Sequence, residues 1–415
     1  MTQTTDREVP LDLQDERLAR ATTTGARMRA GWQAVRDGEV SALPIVLGLV
    51  LIFVVFQILN PYFLSSANLV DLATQCAAVG TIALGIVLVL LVGQIDLSVG
   101  SMSGVASALL GVGLALHGWP LWIALATALL AGVAVGTLYG GLFVAFRVPS
   151  FVITLAGLLG LLGLQLLILG ANGSINIPFD TAIVVFMQTS FVTRPLSYVL
   201  VAAVAGAYLL SALLRDRRRR AEGLSTGSLA LTVARAGLLL VVLEAVTYYL
   251  NQDRGISAPF VLFVAMTAGM AFLLKRTAWG RSVFAVGGSV EAARRAGINV
   301  TGVYVSVFVL CSAFAALGGL LSAGRLATAS ISSGVGDTNL NAIAAAVIGG
   351  TSLFGGRGSA WSALLGIVVI QSIASGLTLL NLDSSVRYMI TGGVLLLAVI
   401  VDAVSRRTRA AHGRA

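Results

Sequence analysis

Side chains able to do chemistry are few in this 415-residue chain, and they stand far apart. Its two histidines, His117 and His412, cannot assemble a charge relay or a His-based metal site. The two cysteines, Cys76 and Cys311, both fall inside apolar runs, where a thiol behaves as a small hydrophobe. A phosphate-binding loop needs a lysine after its glycines, and the one lysine here, Lys275, is followed instead by Arg276. Carboxylates are scattered through different loops, whereas a membrane-embedded transferase would want them clustered or around a metal. The expectation is a chain that is not itself an enzyme and holds no cofactor.

The polar residues that remain gather in islands. One runs from Gly287 to Gly297 with the sequence GGSVEAARRAG. Ser289 is placed to accept the free amides of a helix start, Glu291 falls in the first turn, and Arg294 and Arg295 near the end, each where the helix dipole favours its charge. Ala292 and Ala293 fill the middle, and Gly297 supplies a left-handed stop. Two turns bury too little apolar surface to stand alone, so this helix needs a partner surface. A second island, GQIDLSVGS at 93–101, sets Gln94, Asp96, Ser98 and Ser101 between glycines where one apolar run gives way to the next. Two compatible readings apply: polar groups beside a water-lined path, or Asp96 as the cap of the following helix. A third polar stretch, 330–341, leads into NAIAAAVIGGTSLFGGRGS at 341–359. There Asn341, Thr351 and Ser352 offer groups to a neutral polyol, although small residues packing helix against helix would produce much the same pattern. In RVPSFVITLAGLLG, 147–160, Pro149 and Ser150 read simply as a helix start.

The elements that must position these islands are membrane helices. The chain is 57% hydrophobic and 11% charged, with 47 glycines and a mean hydropathy of +0.93. Apolar runs occur at about 43–59, 69–92, 98–116, 120–146, 151–169, 195–214, 229–250, 257–274, 302–322, 340–354, 360–380 and 387–404. They predict an all-α polytopic membrane protein of about 12 transmembrane helices. Residues 1–40 form an N-terminal tail, with Met28, Trp32 and Val35 at a spacing suited to the lipid surface. Residues 41–404 form the transmembrane domain and 405–415 a C-terminal tail. With both termini cytoplasmic, alternation puts most of the 27 basic residues on the inner side, including Arg147, Arg215, Arg276, Arg281, Arg294 and Arg295. The net charge of +9 is thus a topology signal and no nucleic-acid footprint. It places the 275–301 loop inside the cell. Arg235 and Glu244 lie within the run at 229–250; Arg235 is close enough to the inner surface to snorkel. This run and the one before it, about 195–250, look like an added helical hairpin.

Taken together, GQIDLSVGS, VPSFVITLAG, FAVGGSVEAARRAGINV and AIAAAVIGGTSLFGGRGS resemble, in order, the motifs of bacterial ATP-binding cassette (ABC) importer permeases for ribose, arabinose and xylose. The likeness runs from about 43 to 404, and GLSTGSLALTVARAG inside the hairpin is most similar to the xylose branch. It implies a multi-pass bacterial inner-membrane subunit that passes a monosaccharide, D-xylose, inward. It implies as partners a second permease copy, two cytoplasmic ATPase domains that bind ATP and magnesium, and a periplasmic or lipid-anchored sugar-binding protein. By the same likeness Ser289 to Gly297 is the coupling helix for the ATPase, and Gln94, Asp96, Ser98, Asn341, Thr351 and Ser352 belong to the sugar pathway. The chain departs from the family before AIAA, where acidic residues are usual: Asn339 and Asn341 stand there, with Asp337 upstream. The alternative function, a proton-coupled secondary sugar transporter using Asp96, would want more ionisable residues near the midplane than this chain offers.

Overall fold

The computed structural model describes residues 43–400 except 225, 227, 384, 387, 394, 395 and 397–399. The predicted tails at 1–40 and 405–415 lie outside the described residues, as does the end of the run predicted at 387–404. Two compact units emerge, Val192–Ile256 and the remainder.

The larger unit begins with α1 (Leu43–Leu59), α2 (Ser66–Leu91), α3 (Val99–Gly111), α4 (Leu121–Phe146) and α5 (Ser150–Leu169). The last turn of α3 widens into a π-helical turn, Val112–Leu116. Strand β1 (Ser174–Asn176) and the short α6 (Ala182–Thr189) follow. After the second unit come α9 (Ala258–Arg276), α10 (Ala278–Gly288), α11 (Val290–Arg295) and α12 (Val300–Leu326). Strand β2 (Thr328–Ser330), α13 (Asp337–Ile348) and α14 (Trp361–Leu379) complete the named elements. The smaller unit is a helical hairpin of α7 (Arg194–Ala221) and α8 (Leu229–Leu250), its far ends tied by Asn251 Nδ2 donating to Ser197 Oγ at 3.0 Å.

Among the described residues nine helices are long and apolar enough to cross a membrane, and Ile45–Leu59 is a shorter apolar helix. The run at 340–354, taken above as a span, is instead the 12-residue α13. At 1.5 Å per residue it is about 18 Å long, short of the roughly 30 Å hydrocarbon layer. Its helix ends at Gly349, and the next residue, Gly350, has φ +100°. The 275–301 loop holds two helices, of which α10 was not foreseen; its start is capped by Thr277 Oγ1, which accepts the Gly280 amide at 3.1 Å.

Helix α2 is the axis of the larger unit: nearly every residue from Cys76 to Leu91 is buried, in a stretch whose one hydroxyl, Thr81, donates back to the Ala77 carbonyl. Helix α12 packs on α2, α3 and α4. Against α4 the approach is backbone to backbone, because Gly132, Gly136 and Gly140 form one stripe over Ser312, Phe308 and Val305. A Cβ on Gly132 would lie 2.7 Å from the Ser312 carbonyl oxygen, so nothing larger fits without moving α12. Strands β1 and β2 pair antiparallel, Ile175 opposite Ala329, and clasp the end of α5 to the end of α12.

This stripe predicts a contrast. Gly136→Leu is expected to destabilise the protein by about 1–3 kcal/mol through overpacking. Gly141→Leu, where open space stands in place of a neighbour, should fall within about 0.5 kcal/mol of the parent. Thermal midpoints in detergent would measure both, and equal losses would mean that the stripe is not where α4 and α12 close.

Candidate functional site

Between α2 and α3 the backbone leaves helical form. Gly93, at φ +72°, turns the chain out of α2, and its amide and that of Gln94 close the last turn on the Leu90 and Val89 carbonyls. From there to Ser98 the amides lose their helical partners, which costs free energy away from water unless others are found. Helix α5 supplies them. The Ile95 amide donates to Ser150 Oγ at 3.2 Å, and the Leu97 amide donates to Thr154 Oγ1 at 3.1 Å. The match is geometric: four helical residues advance about 6 Å, and two extended residues about 6.6 Å. On the other side Asn339 Nδ2, from α13, donates to the Leu97 carbonyl at 2.8 Å. The broken segment is therefore held from both sides by side chains of its neighbours.

Asp96 sits inside this segment at 1% exposure. Its Oδ1 accepts both the Ser98 amide at 2.8 Å and the Ser98 hydroxyl at 2.7 Å. Its Oδ2 is buried with no hydrogen-bond partner among the described residues, as is the Tyr139 hydroxyl. The residue that caps α3 is Ser98, whose hydroxyl turns to Asp96 and makes no capping bond to the helix amides, so Asp96 orders the cap rather than being it. Nor does Ser150 cap α5; its hydroxyl goes to Ile95.

The remaining pathway candidates divide between the two ends of α13. Asn341 is half-buried in its first turns, its Oδ1 without a partner among the described residues. Thr351 and Ser352 are buried in the loop beyond its far end. Ser352 Oγ accepts the Phe354 amide at 3.2 Å, and the Ser352 amide donates to the Arg357 carbonyl at 3.0 Å. The structure thus joins Asp96, Ser98 and Asn339 in one cluster and leaves Thr351 and Ser352 in a turn. Gln94 is half-buried.

That turn meets the end of α2 and the start of the 287–297 island by main chain alone. The Gly356 amide donates to the Leu91 carbonyl at 2.9 Å. Gly287 lies against the same carbonyl, where a Cβ would collide with it. A Cβ on Gly355 would stand 2.9 Å from both the Gly287 carbonyl oxygen and the Gly93 amide nitrogen. One residue pair further on, Ser289 Oγ accepts the Ala292 amide at 3.2 Å and opens α11. Only Ala293 of this helix is fully buried, where it joins the main core. Glu291, Ala292, Arg294, Arg295 and Gly297 are exposed, and Gly297 takes φ +78°.

Sequence reasoning did not single out Ser150, Thr154 and Gly287 for these roles. Ser150 and Thr154 had a legible signal: two hydroxyls four apart on one face of a helix whose only other polar side chain is Gln165.

A bundle of long apolar helices, broken inside by extended backbone whose polar groups are met by neighbouring helices, is the build of a membrane transport protein. Residues 68–399 match the family described as branched-chain amino acid transport system, permease component, and the chain belongs to it. It is 35% identical over 346 residues to the xylose transport system permease protein of Escherichia coli (strain K12), covering 83% of this chain and 87% of that one. Its likeness to the xylose permease protein of Haemophilus influenzae is 33% over 349 residues, 83% of this chain and 91% of that one. With the ribose import permease protein of Bacillus subtilis (strain 168) it shares 30% over 366 residues, 88% and 94% of the two chains. No solved structure matches the chain.

Asn339→Asp should test this hold on the broken segment. It removes the donor to the Leu97 carbonyl and sets an acceptor against an acceptor, at a cost of about 1–3 kcal/mol. Ser150→Ala and Thr154→Val are expected to cost about 1 kcal/mol each. Unchanged unfolding midpoints in all three would mean that the 93–98 segment does not depend on these bonds.

Proposed function

We propose that this chain is the permease subunit of an ATP-driven importer for a pentose, D-xylose, in the bacterial inner membrane. The observation that carries the reading is the likeness to xylose permease proteins across 83% of the chain. It favours an ATP-driven importer over a proton-coupled carrier. Two copies of the permease enclose the path, two ATPase domains with ATP and magnesium drive it from the cytoplasm, and a periplasmic or lipid-anchored protein delivers the sugar.

In this reading α11 is the coupling helix. Ser289 fixes its start, Ala293 anchors it to the core, and Glu291, Ala292, Arg294, Arg295 and Gly297 present a surface to the ATPase. A push on α11 reaches Gly287 within a few residues. From Gly287 it passes by main-chain contact to Leu91 and Gly93 on one side and to Gly355 and Gly356 on the other. Leu91 and Gly93 lead into the extended segment with Gln94, Asp96 and Ser98. Gly356 leads through Ser352 and Thr351 to α13, whose first turns carry Asn339 and Asn341. Both arms of the path therefore move from one point, and Asn339, bonded to Leu97, keeps them in step. The polar groups of these arms offer a passing sugar alternate hydrogen bonds rather than a deep site, which suits a subunit that receives its cargo already selected.

Reconstitution with the ATPase and binding protein in vesicles, with labelled xylose, tests the scheme. Arg295→Glu is expected to lower ATPase association and uptake together, by tenfold or more. Gly287→Val should leave association nearly intact while uptake falls at least as far, because the added side chain parts α10 from Leu91. Normal uptake by the Gly287 variant would sink the proposed route, and failure of the parent to carry xylose in favour of another sugar would overturn the substrate.

A further inference from the structure

The α7–α8 hairpin carries charge in an arrangement that topology alone does not require. Helix α7 has 28 residues. That is about 42 Å, against a hydrocarbon layer of about 30 Å. The surplus is its last two turns, which hold Arg215, Arg217, Arg218, Arg219 and Arg220. Successive residues step about 100° around a helix, so these side chains point to all sides instead of forming one stripe. Arg215, Arg217, Arg218 and Arg220 are exposed. Helix α8 returns from this end, and Arg235 lies six residues beyond its first residue, Leu229. That is about 9 Å along the axis, within reach of the headgroup level for a side chain that stretches back toward the surface.

The surroundings of Arg235 point to its counter-ion. Leu238 and Val242, on the same face and deeper along α8, are large, apolar and exposed, a surface suited to acyl chains. No carboxylate pairs with Arg235 among the described residues. An exposed cation two turns into α8, with apolar side chains deeper on its face and five arginines against one carboxylate, Asp216, on the last turns of the preceding helix, fits a ligand with a phosphate at one end and hydrocarbon at the other. A zwitterionic headgroup would bring its own ammonium against the ring, so the complementary headgroup has net negative charge. We propose that the arginine-bearing end of the hairpin binds anionic phospholipid. The lipid phosphate lies between Arg235 and the 215–220 ring, and its chains run inward along Leu238 and Val242, three and seven residues further along the same face of α8. This binding is independent of the sugar carried.

The full-length chain in phosphatidylcholine nanodiscs, with and without phosphatidylglycerol, provides the test, with retained lipid counted by native mass spectrometry. The parent is expected to retain phosphatidylglycerol over phosphatidylcholine, and Arg235→Gln to lower that preference about fivefold, the size expected for one surface cation. R217Q/R218Q/R220Q/R235Q should lower it at least tenfold while its unfolding midpoint in pure phosphatidylcholine stays with the parent. Equal retention of the two lipids by the parent, or equal phosphatidylglycerol retention by the parent and the Arg235→Gln chain, would overturn the proposal.

Discussion

An amide that leaves a helix where the protein buries it has no water to turn to, and that constraint governs the break after the most buried helix of this protein. At Gly93 the chain breaks out of its most buried helix, and each polar group so released must be met by a neighbour. The hydroxyls of Ser150 and Thr154 and the amide of Asn339 meet them. Helix α5 and the first turns of α13 are fixed in place by that demand as much as by apolar packing. A break so supported keeps its shape yet holds only a few bonds, each worth about 1 kcal/mol net, so a modest input of energy can rearrange it.

Small residues do the complementary work. Where α4 meets α12 they bring two backbones together and make a stiff wall. Where Gly287, Gly355 and Gly356 gather around Leu91 they bring three chain segments together without side chains between them. Contacts of that kind transmit displacement with little loss, since no flexible side chain can absorb it.

Much of this was legible in advance. The apolar runs marked the long helices because length and hydropathy decide who can span a bilayer. The island around α11 was readable to the residue, Ser289 as cap and Gly297 as left-handed stop, because capping chemistry is local. What escaped was non-local. Within its own helix Thr154 only donates back to the Ser150 carbonyl at 3.0 Å, as many helical threonines do; the amide it accepts lies 57 positions away. Asn339 looked like a departure in the sugar path, and its role became visible only when the Leu97 carbonyl was found beside its donor, where a carboxylate has none to give. The run at 340–354 misled because apolar content counts residues and says nothing of Gly349 and Gly350, which end the helix early.

The pairing of a hydroxyl ladder on α5 with alternate amides of an extended strand has a mechanical meaning. Only every second amide of such a strand faces α5, so a slide by one residue would turn the Asp96 amide toward the ladder and carry the Asp96 side chain across to the opposite face. Thr154 keeps its bond to the Ser150 carbonyl at any setting, so what a displacement would cost is the two amide bonds from Ile95 and Leu97. A segment held in this way has one preferred setting, and leaving it breaks both bonds. In the proposed scheme such a catch would turn a steady push on α11 into a step.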